Sequence, residues 1–327
     1  SIYSFKLAYM KNVLITGITG QDGLFLAKKY LDRKEDNSIF GISRSKNLES
    51  FYQNLESIEV KSIDNLNMVN IDLNNKTHVF DLLKKVKPQA IYNFSGPSSV
   101  YKSLVDKEES SKTIKNIFDN LTDSLIELNN FCNFFQASSS EMYENISNNA
   151  IDENTKMVPN SPYAVGKYEN HKKVLKLSEE YNWNIVSGIM FNHESEFRDD
   201  SYLIKKIITS AKEIKNKKNS KLQLGSVDYI RDWSFAGDIV NGAHTLVENN
   251  AKGGYVIGSG VGSKILDIVK IVFNYYNLNW ENYLEINEGL LRKGDAEVKV
   301  SNPLKIESHF GWKTSMDFNE LILRCIN

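Results

Sequence analysis

Cysteine is nearly absent: Cys132 and Cys325 are the only two among 327 residues. Two scattered thiols build neither a disulfide framework nor a zinc site, so a reducing, cytoplasmic setting is expected. Histidine is also scarce, and its five occurrences show no metal-ligand spacing; no metal is expected. A charge excess of either sign is missing, with 40 basic against 41 acidic residues and a formal charge of −1. Neither a nucleic acid nor a membrane surface is therefore an expected partner. The basic stretch from Lys212 to Lys221 reads as a solvated helix face. No apolar run reaches the roughly 18 residues that a spanning helix needs. The first ten residues, SIYSFKLAYM, lack the apolar stretch and small-residue cleavage site of a signal peptide. Met10 directly precedes a strand-like run, and translation is expected to start there.

What is present is ordinary globular material, 41% hydrophobic and 25% charged, long enough for one large domain or two. From Lys11 short apolar runs alternate with helical patterns. Val13–Thr16, Ile39–Ser43, Met68–Ile71, Ala90–Phe94, Phe134–Ser138 and Ile185–Phe191 read as strands. Gly20–Asp32, Thr77–Lys85, Thr113–Asn129 and Ala164–Glu180 read as helices. Strand–helix alternation with right-handed crossovers predicts an α/β fold, a doubly wound parallel (Rossmann) sheet over residues 11–191. Beyond Phe191 the pattern becomes irregular, predicting a smaller mixed α/β lobe over 192–327. Trp233–Val247 and Tyr255–Ile257 are candidates to return to the main sheet.

The first strand meets its helix through Gly17-Ile18-Thr19-Gly20-Gln21-Asp22-Gly23. Glycines here allow a tight turn, backbone approach to a pyrophosphate and close helix packing, and the helix N-terminus favours the anion. Dinucleotide binding is expected at this loop. The second strand ends in Ser43-Arg44-Ser45, where an acidic residue would hold a free ribose hydroxyl. An arginine and a serine suit a 2′-phosphate instead, favouring NADP over NAD. Asp72 and Leu73, after the third strand, are candidates for the adenine end; Asp72 can equally serve as a turn or helix cap.

Tyr163 and Lys167 stand four apart in SPYAVGK, which on a helix puts both on one face. A nearby ammonium is expected to favour the phenolate and make Tyr163 a base. Ser139 and Glu141 follow an apolar strand in QASSSE, at a strand end where such sheets bind ligands. The hydroxyl would bridge substrate and Tyr163, and Glu141 would be a second acid or base. Each element alone reads as a solvated turn or a chance spacing; their order behind a cofactor loop gives them weight.

Together these residues resemble the extended short-chain dehydrogenase/reductases, and within them the GDP-mannose 4,6-dehydratases. The likeness rests on GITGQDG (Gly17–Gly23), FQASSSEMY (Phe135–Tyr143), SPYAVGK (Ser161–Lys167), FNHES (Phe191–Ser195) and LGSVDYIRDW (Leu224–Trp233), with Asn93 and Glu297-Val298 also fitting. It implies a lyase with tightly bound, regenerated NADP and a GDP-linked sugar substrate. Tyr163 would take the C4 hydroxyl proton, Glu141 the C5 proton, Ser139 would fill the family's threonine or serine position, and Lys167 would orient Tyr163 and the cofactor ribose. Asn192 and Arg231 match diphosphate positions, with Arg198 and Lys206 in the segment that follows. A homodimer or homotetramer is implied, pairing through Thr113–Asn129 and Ala164–Glu180.

Three departures bear on the sugar. Gly96-Pro97-Ser98-Ser99 stands where the family has a Gln-Ser-His run, Glu144 where it favours glycine, and Gly294-Asp295-Ala296 where it has Arg-Pro before Glu-Val. Arg292 is the candidate to reach the diphosphate in place of that arginine. Mannose, a heptose or another modified hexose all remain open, as does an Arg231–Asp232 surface pair. A 4-epimerase or 4-keto-reductase of the same superfamily is the alternative activity, since these use Tyr and Lys without Glu141. A binding protein without turnover would have no need of all three groups.

Overall fold

The structure, a computed structural model, describes residues 10–33, 37–97 and 107–327. The expected start at Met10 turns on residues 1–9, and Ser98 and Ser99 of the altered loop fall in 98–106; both lie outside the described residues.

Seven strands build the main sheet: β1 (Lys11–Thr16), β2 (Asn37–Ser43), β3 (Leu66–Asn70), β4 (Ala90–Asn93), β5 (Asn133–Ser139), β7 (Ile185–Met190) and β12 (Gly253–Ile257). They lie in the order β12-β7-β5-β4-β1-β2-β3, every neighbour parallel. Strands buried on both faces must be apolar throughout, and Val13, Leu14 and Ile15 of β1 are fully buried. Val13 and Ile15 face one layer, with α1 (Gln21–Leu31), α2 (Glu49–Ser57) and α7 (Ala236–Glu248). Leu14 faces the other, with α3 (Lys76–Val86), α4 (Lys107–Glu127) and α5 (Pro162–Glu180). This is the doubly wound arrangement, and its strand order reverses between β1 and β4, where ligands enter such sheets.

The third strand begins two residues before the expected Met68, and α2 had no counterpart in the reading of the sequence. Only Phe51 and Leu55 of α2 are buried, too few apolar positions to set a period. The segment after Trp233 does return: α7 packs with α1, and β12 extends the sheet beside β7.

A second sheet has the order β13-β10-β15-β6, from β6 (Asn148–Ile151), β10 (Ile230–Arg231), β13 (Ser263–Lys264) and β15 (Val298–Ser301). Two further pairs join β8 (Asn192–Glu194) to β11 (Trp233–Phe235), and β9 (Leu222–Leu224) to β14 (Leu284–Ile286). Helices α6 (Leu203–Lys215), α8 (Ile265–Tyr275) and α10 (Phe318–Ile326) share a separate apolar core that includes Ile207, Phe273 and Ile322; α9 (Leu304–Phe310) instead sends Ile306 into the first. Asp232 ties the lobe together: its buried carboxylate accepts from the backbone amides of Ser259, Gly260 and Ser301 and from the Ser301 hydroxyl. The basic stretch from Lys212 to Lys221 is largely exposed, as expected, but only its first residues are helical, since α6 ends at Lys215 and the rest is turn and loop.

Candidate active site

Gly17 turns the chain out of β1 with φ +63°, and the Gly20 amide donates to its carbonyl at 3.0 Å. A Cβ on Gly17 would stand 2.9 Å from the Phe94 carbonyl carbon and oxygen, and one on Gly23 would stand 2.4 Å from Ile18 Cα. Both glycines are therefore required, one by conformation and contact, the other by packing. Gly20 caps α1 without any side-chain bond, leaving the first-turn amides for an anion. Beside this turn a cavity of about 370 Å³ is lined by Gly17, Thr19, Gly20, Arg44, Ser45, Asp72 and Leu73, among others. The glycine turn and the start of α1, which has no side-chain cap, suit a nicotinamide dinucleotide, the cofactor type of this fold. Asp72 does act as a turn cap, accepting from the Asn74 backbone at 3.0 Å, and it also borders the cavity.

Gln21 and Asp22 engage β8 rather than the cradle. Ser195 donates to Gln21 at 2.6 Å, and Asp22 Oδ2 lies 3.0 Å from His193 Nε2. His193 Nδ1 reaches the Phe191 carbonyl at 2.7 Å. Burial opposes charge on both partners, yet the pair wins: the Asp22 carboxyl is lowered and the His193 imidazole raised. These links clamp the glycine loop to the β8 segment.

An adjoining cavity of about 410 Å³ shares Phe94 and Gly96 with the first. Ser139, Glu141, Tyr163, Lys167, Asn192, Arg198, Arg231 and Arg292 all line it. Lys206 does not; its ammonium donates to the Gln223 carbonyl at 3.1 Å. Ser161 caps α5 by accepting from the Ala164 amide at 3.1 Å, and Pro162 starts the helix, which aims Tyr163 and Lys167 inward. At the end of β5, Ser139 accepts from the Glu141 amide at 3.2 Å and bonds the Tyr163 oxygen. Deeper down, Thr16, Asn93 and Gln136 form a buried chain of 2.6 and 2.7 Å bonds that fixes the ends of β1, β4 and β5.

The expected lowering of Tyr163 by its lysine is not found. Burial pushes the Tyr163 hydroxyl above its ordinary range, and the Ser139 bond only partly offsets this. The Lys167 ammonium is committed elsewhere, donating to the Ala137 carbonyl at 2.9 Å, and burial brings its pKa down to about 8. Glu141 behaves oppositely. Burial would raise it, but Lys299, Arg292 and Arg231 together hold its carboxyl below the usual value.

The surface pair Arg231–Asp232 is excluded, since both residues are buried and Asp232 is engaged elsewhere. Arg231 instead pairs with Asp295 at 2.9 Å, and Asp295 also meets Arg292 at 3.2 Å. Arg198 lies 3.3 Å from Glu194 and over the Tyr202 ring at 3.7 Å. Two departures prove to be one structure. Glu144 accepts from the Asn160 amide at 2.6 Å, and Gly294, at φ +78°, packs where a Cβ would hit Asn145 and Asn160. The loop carrying Arg292 and Asp295 is seated on the turn after Glu141. Lys299 had no signal in the sequence pattern, whereas His193 and Glu194 fall in the FNHES stretch and Asp295 in the departure before Glu297, with no role given to their side chains there.

A seven-stranded Rossmann sheet with a smaller mixed lobe is the architecture of the extended short-chain dehydrogenase/reductases. Solved structures share this fold: a dTDP-glucose 4,6-dehydratase from Streptomyces venezuelae, with NAD bound, has a TM-score of 0.82 at 19% identity, covering 96% of this chain and 95% of that one. A UDP-glucose 4-epimerase from Thermus thermophilus, also with NAD, gives 0.81 at 20% identity, with 96% and 97% covered. At such identities the likeness shows the fold alone. The sequence profile of GDP-mannose 4,6 dehydratase matches residues 14–325, and the chain belongs to that family. Among its relatives are GDP-mannose 4,6 dehydratase 2 of Arabidopsis thaliana, 28% identical over 95% of this chain and 85% of the relative, and GDP-mannose 4,6 dehydratase of Cricetulus griseus, 30% identical over 95% and 89%.

Proposed function

We propose that the chain converts GDP-mannose, or a closely related GDP-linked sugar, to the 4-keto-6-deoxy product. The observation that carries this is the meeting of Ser139, Glu141, Tyr163 and Lys167 in one cavity with Asn192, Arg231 and Arg292, directly beside the cofactor cradle. Arg231 and Arg292 suit the substrate's diphosphate, as permanent bidentate donors. Tyr163, with Ser139 bonded to its oxygen, takes the proton of the sugar C4 hydroxyl. When bound, a dinucleotide would supply the hydride acceptor at C4 and the hydride donor at C6, and Tyr163 would give its proton back at C5 as C6 is reduced. Glu141, held as a carboxylate, takes the C5 proton and returns it to the departing C6 oxygen as water. Burial of the site protects the reactive enone formed between these steps. A 4-epimerase has no use for a second carboxylate base, so Glu141 favours dehydration.

Arg44 and Ser45 border the cradle where β2 ends, at the position where an acidic residue would hold a free ribose hydroxyl, which supports NADP as the dinucleotide. Purified protein incubated with GDP-mannose and no added cofactor is expected to give a product lighter by one water. The dinucleotide released on denaturation is expected to carry a 2′-phosphate. A product of unchanged mass that is an isomer by NMR would instead make the chain an epimerase.

The exposed Val165 and Leu175 on α5 support self-association through α4 and α5. Light scattering coupled to size exclusion is expected to give at least a dimer; a monomer at working concentration would remove this idea.

A further inference from the structure

We infer that Lys299 is a positioning residue for Glu141, its sealed ammonium fixing the charge and the aim of that carboxylate. The inference rests on Glu141 being the base at C5, as proposed above.

Lys299 lies in β15 with its side chain 2% exposed, and its ammonium sits 3.4 Å from Glu141 Oε2. A lysine removed from water in this way is kept only where a counter-charge meets it. Register sharpens the point. Lys299 pairs with Arg231 of the neighbouring parallel strand β10, so two cations stand side by side on one face. Two carboxylates answer them: Asp295 takes Arg231 at 2.9 Å and Glu141 takes Lys299.

The groups around Glu141 have different fates during turnover. Arg292, 3.6 Å away, and Arg231 both line the substrate cavity, where a diphosphate competes for them. Glu144 and Tyr163 also face Glu141, and neither is a source of positive charge. Lys299 is not among the residues lining the cavity. It therefore stays with Glu141 when the arginines turn to substrate. A fixed cation keeps the base ionised before it accepts the C5 proton. Once Glu141 is protonated, the same cation makes it a stronger acid toward the leaving oxygen. The balance is complete within the sugar: the C5–H electron pair becomes the C5–C6 double bond, and the C6–O bond breaks to give water.

Lys299→Met, Lys299→Arg and Glu141→Gln are compared by the pH profile of dehydration and by C5 hydrogen exchange in heavy water. Removing the cation raises the Glu141 pKa, so less base is ionised at the acid end. Lys299→Met is expected to move the acid limb up by about one pH unit and cut exchange about tenfold at that end, recovering at higher pH. Lys299→Arg is expected to restore the limb, and KM for GDP-mannose to change little in either variant. A uniform loss at every pH, or a raised KM with the limb in place, would overturn the inference and leave Lys299 a packing residue. Should Lys299→Met not fold, Lys299→Gln carries the same test. Dehydration and exchange surviving in Glu141→Gln would instead remove Glu141 as the base, a failure distinct from that of Lys299.

Discussion

Tyr163→Phe is expected to lower turnover of GDP-mannose by about a thousandfold, in the middle of the range a positioned general base contributes. The ring is buried at the start of α5, and the substitution removes one oxygen without changing the packing. Affinity for GDP and for the dinucleotide should therefore hold within about threefold, since uniform binding contacts are untouched. The residual rate should also lose its pH dependence on this group. Burial raises the Tyr163 pKa, so the phenolate needed at C4 is the minor form near neutrality and increases with pH. The wild-type rate should climb through the neutral range, whereas the variant's should stay flat there. Stopped-turnover assays of both proteins across pH 6 to about 10 check this; a steep neutral limb surviving in Tyr163→Phe would transfer the role to another group, with Lys167 at about 8 the first candidate.

The main sheet was legible because its chemistry is local. Strands such as Val13–Thr16 and Ile185–Phe191 must be apolar on both faces, and that requirement writes itself as short continuous runs. The glycine loop was legible for a similar reason, since the backbone path at Gly17 and the contact at Gly23 tolerate no Cβ. Helix α2 was not, because two buried side chains set no period. The small lobe has strands of two to four residues whose pairing is decided by distant segments, as when Ile230–Arg231 lies between Ser263–Lys264 and Val298–Ser301.

In the site, residue types were legible and their charges were not. Tyr163, Lys167, Ser139 and Glu141 sit at helix starts and strand ends, positions that follow from pattern. What surrounds each one comes from elsewhere in the chain. Lys299 occupies an inward position of a Val-Lys-Val strand, 158 residues from the carboxylate it meets, and nothing nearby in sequence announces that partner. The expected Tyr–Lys electrostatics failed for the same kind of reason: the Ala137 carbonyl, brought in by β5, holds the ammonium.

Glu141→Gln is expected to separate the two halves of the reaction. The amide that replaces the carboxylate is isosteric and neutral, so it could accept no C5 proton, and loss of water should fall by about a thousandfold. Oxidation at C4 does not need this carboxylate, so up to one 4-keto sugar per site should form, its C4 hydride passed to the dinucleotide and its C6 oxygen retained, and be trapped as an oxime by mass-tagged hydroxylamine. The pH behaviour distinguishes this base from Tyr163. Burial would raise Glu141, but Lys299, Arg292 and Arg231 hold it lower, so it is ionised throughout the neutral range. Its loss on acidification should begin only as pH falls through that depressed pKa, giving the wild-type dehydration step an acid limb that Glu141→Gln lacks. Removing the negative charge also leaves Lys299 buried without its counter-ion, so the variant should be less stable, by about 3 to 5 kcal/mol if the lysine stays charged. Glu141→Asp would keep the charge and shorten the reach; a partial rate with near-native melting would show that distance from Glu141 to C5, and charge against Lys299, are separable requirements of one side chain.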